Sequence, residues 1–275
     1  MTHVLREAFF LPGDHAPGRF ALLRRPAGGL RGAFLYIHPF AEEMNRSRRM
    51  MATAAEAFAR AGWAVLQIDL TGCGDSGGSS ADAGWERWLD DVSAGHAWLS
   101  RQFGVAPHLW GLRAGCLLVE SWLRQADRKA STLYWQPVLS GRQHLSQFLM
   151  LKAAGAMAGE GNGKAVMGPL RERLARGEAV DVAGYTVSAE LARGLERASL
   201  ENAERTRGQT VVVEVMSGER TLTPASAEAR ARWLEAGAPV TWDVVGGSPI
   251  WLTQEVTLAP ELTARTLALI GEWAQ

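Results

Sequence analysis

The run Trp110-Gly111-Leu112-Arg113-Ala114-Gly115-Cys116 joins an apolar, strand-like segment to an apolar, helix-like one, with glycines two places before and two places after Arg113. A sharp strand-to-helix turn needs small residues there, because its backbone passes close to neighbouring strands while the central side chain is thrown outward. A serine at the centre would be a nucleophile; an arginine stays protonated, with a pKa above about 12, and cannot be one. It offers instead a fixed charge and a fork of donors suited to a carboxylate or phosphate. The N–H groups of the following helix's first turn favour an anion as well. Arg113, flanked by Leu112 and Ala114, therefore reads either as the anchor of an anionic ligand group or as the partner of a protein carboxylate, Glu42 or Glu43.

His38 and Pro39 end a buried apolar run that should lie beside the turn, so His38 faces the same crevice. It is the histidine placed to act as a base near neutral pH; equally, a strand-end histidine can simply hydrogen-bond a loop. Glu42 and Glu43, on the loop that follows, either orient His38 or neutralise Arg46, Arg48 and Arg49. Asp75 and Ser76 lie in a glycine-rich loop that borders the crevice and are suited to capping turns. Ser248, between Gly247 and Pro249, has no evident base. Cys73 and Cys116 become nucleophiles only if a neighbour lowers their pKa; burial as a small hydrophobe is the expectation for Cys116. Trp135 and Trp251 could line a pocket for an acyl chain, lipid or sugar ring, or pack in the core.

The elements that position these groups alternate along the chain. Apolar runs at Ala33–Ile37, Ala64–Leu70, His108–Trp110, Thr132–Val138, Val211–Met216 and Val240–Val245 read as buried strands. Between and after them, helical patterns cover Arg46–Ala61, Trp85–Gln102, Cys116–Ala126, Pro224–Ala236 and Pro260–Trp273. Such alternation predicts a mostly parallel sheet with helices on both faces. Ala8–Leu11 and Phe20–Leu23 could add an antiparallel edge. Residues 140–207 interrupt the pattern without a convincing buried strand; an insertion of that length reads as a helical lid. The division is thus a core of 1–139 and 208–275 and a lid of 140–207.

At 275 residues and 47% hydrophobic content the chain can bury a large core. Lys plus Arg and Asp plus Glu both total 29, so no net charge points to nucleic acid or an anionic membrane. The two cysteines form no C-x-x-C pair or Cys/His cluster, so neither a metal nor a cofactor is expected. No apolar run reaches the roughly 18 residues of a membrane span, and the N-terminal apolar core is too short for a signal peptide. A cytoplasmic protein is the expectation.

The ordering of motifs resembles the α/β-hydrolase superfamily. "YIHPF" stands where its oxyanion loop follows a strand, "DLTGCGDSGG" resembles its Asp-x-x-Gly-x-Gly-x-Ser loop, "SGERTLTP" its acid loop and "VVGGSPIW" its histidine loop. Within it, "HPFAEEMNRSRRM", "LQIDLTGCGDSGG", "LWGLRAG" and "WQPVLSG" resemble the exosortase-system-associated hydrolases of the second type, encoded beside the PEP-CTERM and exopolysaccharide machinery of Gram-negative bacteria. The resemblance implies an eight-stranded α/β-hydrolase fold with a helical lid, a bacterial cytosolic setting and the name hydrolase. The triad positions disagree: Arg113 replaces the serine, the acid loop offers only Glu219, Ser248 stands for the histidine, and none of the six histidines follows the insertion. Three readings result. One is a binder of an anionic, acyl or glycosyl-lipid ligand in the former active-site crevice; another is an unconventional hydrolase or acyltransferase using His38 with Glu42 and Glu43. A third is a scaffold for the first-type hydrolase of the same locus.

Overall fold

The computed structural model describes residues 3–11, 18–125, 130–157, 163–201, 208–253, 255 and 257–273. Its main sheet has eight strands. β1 (Val4–Leu11) pairs antiparallel with β2 (Arg19–Pro26), and β2 antiparallel with β4 (Trp63–Ile68). From β4 onward the neighbours are parallel: β3 (Gly32–Ile37), β5 (His108–Leu112), β6 (Thr132–Trp135), β9 (Thr210–Met216) and β10 (Val240–Gly246). The expected parallel sheet with an antiparallel edge is present.

Strand periodicity divides the core into two layers. Ala33, Leu35 and Ile37 of β3 face α2 (Trp85–Phe103), α3 (Ala114–Gln125) and α7 (Pro224–Glu235). Phe34 and Tyr36 face α1 (Glu42–Arg60) and α8 (Pro260–Leu269), where Phe58 stacks on Trp110 at 4.6 Å between centroids. Both faces of β3, β5, β6 and β9 are covered, which is why these strands read as unbroken apolar runs rather than alternating ones.

Helix α1 begins at Glu42, earlier than its apolar periodicity suggests, so Glu42 and Glu43 occupy its first turn and not a loop. Carboxylates there complement the helix dipole.

The interrupting region folds as α4 (Gly141–Met157), α5 (Gly163–Ala175), a hairpin of β7 (Val180–Val182) and β8 (Tyr185–Val187), and α6 (Ala189–Arg197). The hairpin corrects the expectation of an insertion without a buried strand, since Val180 and Val182 are buried. Its strands are three residues each, too short for a period of two to register, and its turn is made by Ala183 (φ 51°) and Gly184 (φ 86°). The insertion shares one apolar cluster with the sheet: Leu191 and Leu195 of α6 join Trp85, Trp88 and Leu89 of α2. Gly194 packs directly on the Trp85 side chain, where a Cβ has no room. Among the described residues no helix is long and apolar enough to cross a membrane.

Candidate functional site at the elbow

Strand β5 ends at Leu112, Arg113 takes a left-handed φ of 54°, and α3 starts at Ala114. The glycines are demanded by contact. A Cβ on Gly111 would lie 2.7 Å from the backbone of Cys116, and one on Gly115 would enter the carbonyls of Ile37 and His38. The Arg113 N–H donates to Trp135 O at 3.0 Å, and its carbonyl accepts from Cys116 N at 3.1 Å.

Ala41 (φ 50°) and Gln136 (φ 43°) are likewise left-handed, so non-glycine strain gathers just beyond the C-terminal ends of β3, β5 and β6, three adjacent strands. Each such residue costs on the order of 1–3 kcal/mol and persists only where the surroundings enforce it. That end of an open α/β sheet is where crevices for ligands form.

The Arg113 side chain is held from three sides. Its Nη2 lies 3.1 Å and its Nε 3.2 Å from Glu43 Oε1, Nη1 reaches Gln136 O at 3.5 Å, and the guanidinium sits 5.2 Å from the Trp251 ring centroid. Both ion-pair partners are largely buried, 18% and 16% exposed at the side chain. Burial pushes the Glu43 pKa up, and the charge and hydrogen bonds of Arg113 oppose that without cancelling it. Glu43 Oε2 is buried and has no hydrogen-bond partner among the described residues. Of the two readings of Arg113, pairing with a protein carboxylate is the one the structure contains.

His38 is not joined to Glu42 or Glu43. Its Nδ1 lies 2.7 Å from Pro39 O and its Nε2 accepts from Leu70 N at 3.2 Å. Accepting at Nε2 fixes the proton on Nδ1, so the ring is neutral with its lone pair already engaged. Burial lowers its pKa, which fits that state. Glu42 is exposed and bonds outward, accepting from Tyr185 OH at 2.9 Å and pairing with Arg46 at 3.5 Å; the Tyr185 bond, foremost, holds its pKa down.

The remaining expected site residues differ in their surroundings. Leu112 is fully buried in the layer under α1 and α8, and Pro39 is buried too. Asp75 and Ser76 cluster around Asp69: Asp69 Oδ2 accepts from Asp75 N and from Arg48, each at 2.9 Å, and Ser76 Oγ bridges Asp69 O and Phe20 N. Ser248 is exposed in the loop after β10, and Glu219 is exposed after β9, where Arg220 pairs with Glu261 instead at 2.6 Å. Ala114 begins α3 beside the elbow as expected. Trp135 is buried on the far face and donates to Thr266 Oγ1, whereas Trp251 backs Arg113.

A cavity of about 370 Å³ lies between the β3–α1 loop and the hairpin, walled by Phe40, Ala41, Met44, Trp88, Tyr185 and Leu191, with Cys73 and Gly74 at one side. Burial, with Asp69 and Asp91 adding, pushes the Cys73 thiol up to about 12. Cys116 is fully buried and also shifted upward by burial. Near neutral pH neither is a thiolate.

One residue of the site was not a sequence candidate. His144, on α4, lies over Phe40, their ring centroids 6.2 Å apart, and its Nε2 is buried without a partner among the described residues. Burial first, and the charge of Arg113 second, hold its pKa down to about 4. It precedes the end of the insertion, so a search for a histidine beyond that insertion passes over it.

No protein-family profile matches the chain, and no curated protein does. Solved structures do. Est1E from Butyrivibrio proteoclasticus, with ferulic acid bound, superposes with a TM-score of 0.62 at 16% identity, covering 96% of this chain and 98% of that one. The α/β hydrolase GrgF from Penicillium sp. sh18 gives 0.61 at 16% identity, covering 98% of each chain. A putative hydrolase from Agrobacterium vitis S4 gives 0.57 at 14% identity, covering 99% of this chain and all of that one. The chain has the α/β-hydrolase fold.

Proposed function

We propose that this protein uses the α/β-hydrolase fold to bind and not to hydrolyse: it lacks a Ser-His-acid relay and holds a ligand with an acyl chain in the crevice beneath the insertion. The observation that carries the reading is the state of the elbow. Its strained geometry is kept, yet the side chain it presents is a guanidinium tied to Glu43 and stacked on Trp251. Such a group cannot attack a carbonyl. Because Glu43 already balances its charge, the anionic ligand expected from Arg113 loses support, while the apolar walls supplied by Phe40, Met44, Trp88 and Leu191 favour a hydrocarbon chain.

The sequence resemblance supports a setting in the bacterial cytoplasm beside the exosortase and exopolysaccharide machinery, where an acyl compound or glycosyl-lipid would be the ligand. Association with the first-type hydrolase of that locus is compatible with the same role.

A fluorophosphonate probe tests the catalytic half. We expect no labelling; labelling abolished by changing a single serine would overturn the proposal. Quenching of Trp88 fluorescence on titration with acyl compounds, absent in Trp88→Phe, tests the binding half.

A further inference from the structure

Resting on the crevice-binding reading, we propose that Met44 sets the length of hydrocarbon chain the crevice accepts: its side chain is a stop that divides the crevice from a second cavity of equal size. That second cavity, also about 370 Å³, lies between α1 and the sheet, walled by Phe20, Leu22, Met51 and Ile68 and bordered by Arg48 and Asp69. Met44 lines both cavities. The rest of the partition is the ion pair of Arg48 with Asp69, 2.9 Å apart: Gly74, in the wall of the crevice, packs on that carboxylate and guanidinium where a Cβ has no room. A single layer of side chains therefore separates the two spaces. Met44, Arg48 and Met51 stand at i, i+4 and i+7 of α1, so one stripe of the helix supplies the stop and two walls beyond it.

The occupant follows from the lining. Among the described residues none of the side chains walling the crevice is charged near neutral pH; burial, with Glu42 adding, pushes the Tyr185 hydroxyl up to about 12, as burial does the Cys73 thiol. The polar groups there are spoken for: Asn45 Nδ2 donates to Tyr185 OH at 2.8 Å, Tyr185 OH to Glu42 at 2.9 Å, and Ser80 Oγ accepts from Thr186 N at 3.1 Å. Such a space suits a neutral hydrocarbon chain and leaves any charged head outside it. Of the two parts of the partition, the ion pair cannot yield without leaving Asp69 uncompensated. Met44 is apolar, unbranched and almost wholly buried, so it is the part whose truncation joins the cavities.

The experiment titrates wild type, Met44→Ala, Met44→Leu and Leu22→Ala with the methyl esters of octanoic, decanoic, dodecanoic and hexadecanoic acid, supplied from cyclodextrin and read by tryptophan quenching, with circular dichroism to check folding. In wild type each added methylene should raise affinity about fourfold until the chain meets Met44, and nothing thereafter. Met44→Ala should move that limit, raising the hexadecanoate-to-decanoate affinity ratio at least tenfold over wild type. Met44→Leu, which keeps the volume, and Leu22→Ala, which widens only the second cavity, should leave the limit where it was. A wild-type affinity that climbs unchecked to the hexadecanoate ester would overturn the stop, whether or not the alanine variant folds. A limit unmoved by Met44→Ala, or moved as far by Leu22→Ala, would overturn the assignment to Met44 and leave the crevice reading intact. If no ester binds wild type, the crevice reading itself fails.

Discussion

The backbone N–H of Leu70 donates to His38 Nε2 at 3.2 Å, which removes from the crevice the histidine whose position in the sequence best suited it to proton transfer. His38 ties the end of β3 to the chain leaving β4. His38→Ala should therefore act on stability: an unpaired Leu70 N–H and a cavity together cost about 2–4 kcal/mol, read from urea unfolding. Affinity of the folded fraction for an acyl ligand should not change. A variant of normal stability with altered binding would return His38 to the site.

Breaking the elbow ion pair from one side should be more damaging than removing it whole. Arg113→Met leaves Glu43 buried and uncompensated, at a cost of about 3–5 kcal/mol, and Arg113→Met with Glu43→Leu should recover most of it. A double-mutant cycle by chemical denaturation gives the coupling directly.

The spacing of the glycines should be intolerant of a single methyl group. Gly115→Ala drives a Cβ into the carbonyl of Ile37, and Gly111→Ala one into the backbone of Cys116, with backbone in each case on the receiving side. Each should cost roughly 3 kcal/mol or prevent soluble expression. Gly218→Ala, whose Cβ meets nothing, should be nearly silent by thermal melting.

Acidification should weaken the fold through its buried histidines. His144 and His108 are both held from 6.5 down to about 4, chiefly by burial. A depressed histidine binds fewer protons folded than unfolded, so its contribution is complete above about pH 6.5 and is lost as pH falls towards 4. At about pH 5 each accounts for roughly 2 kcal/mol. Glu43, held above its ordinary range, works in the opposite sense, and its penalty fades as pH falls. Urea midpoints at pH 7 and pH 5 should differ less in His144→Gln than in wild type. An unchanged difference would mean that His144 titrates normally.

The central strands and the elbow were legible because their signals are local: apolar runs of strand length, and glycines spaced for one turn. Ends were less so. Glu42 and Glu43 are polar residues of a helix whose apolar stripe begins later, so periodicity assigns them to a loop. The β7–β8 hairpin is too short to carry a pattern. That Arg113 needed an anionic partner was legible from charge, but whether a ligand or a glutamate supplied it was not; of the two glutamates only Glu43 turns inward, while Glu42, one residue earlier and about 100° round the helix, meets Tyr185 at the surface. His144 could not be found, because its place at the elbow depends on how the whole insertion folds back, recorded in sequence only by contacts such as that of Gly141 with the carbonyl of Leu195.

The manner of that folding back also decides how a molecule enters. Helix α6 is seated on α2 where Gly194 meets Trp85, which holds that part of the insertion against the core. The hairpin that roofs the crevice is tied to the core by polar contacts at its rim, from Tyr185 to Glu42 and Asn45 and from Thr186 N to Ser80 Oγ. Peeling that flap breaks a few solvent-accessible hydrogen bonds and leaves α6 seated on α2. Exchange of the occupant should accordingly track the strength of those rim contacts, with Tyr185→Phe hastening both arrival and escape while the equilibrium between them barely moves.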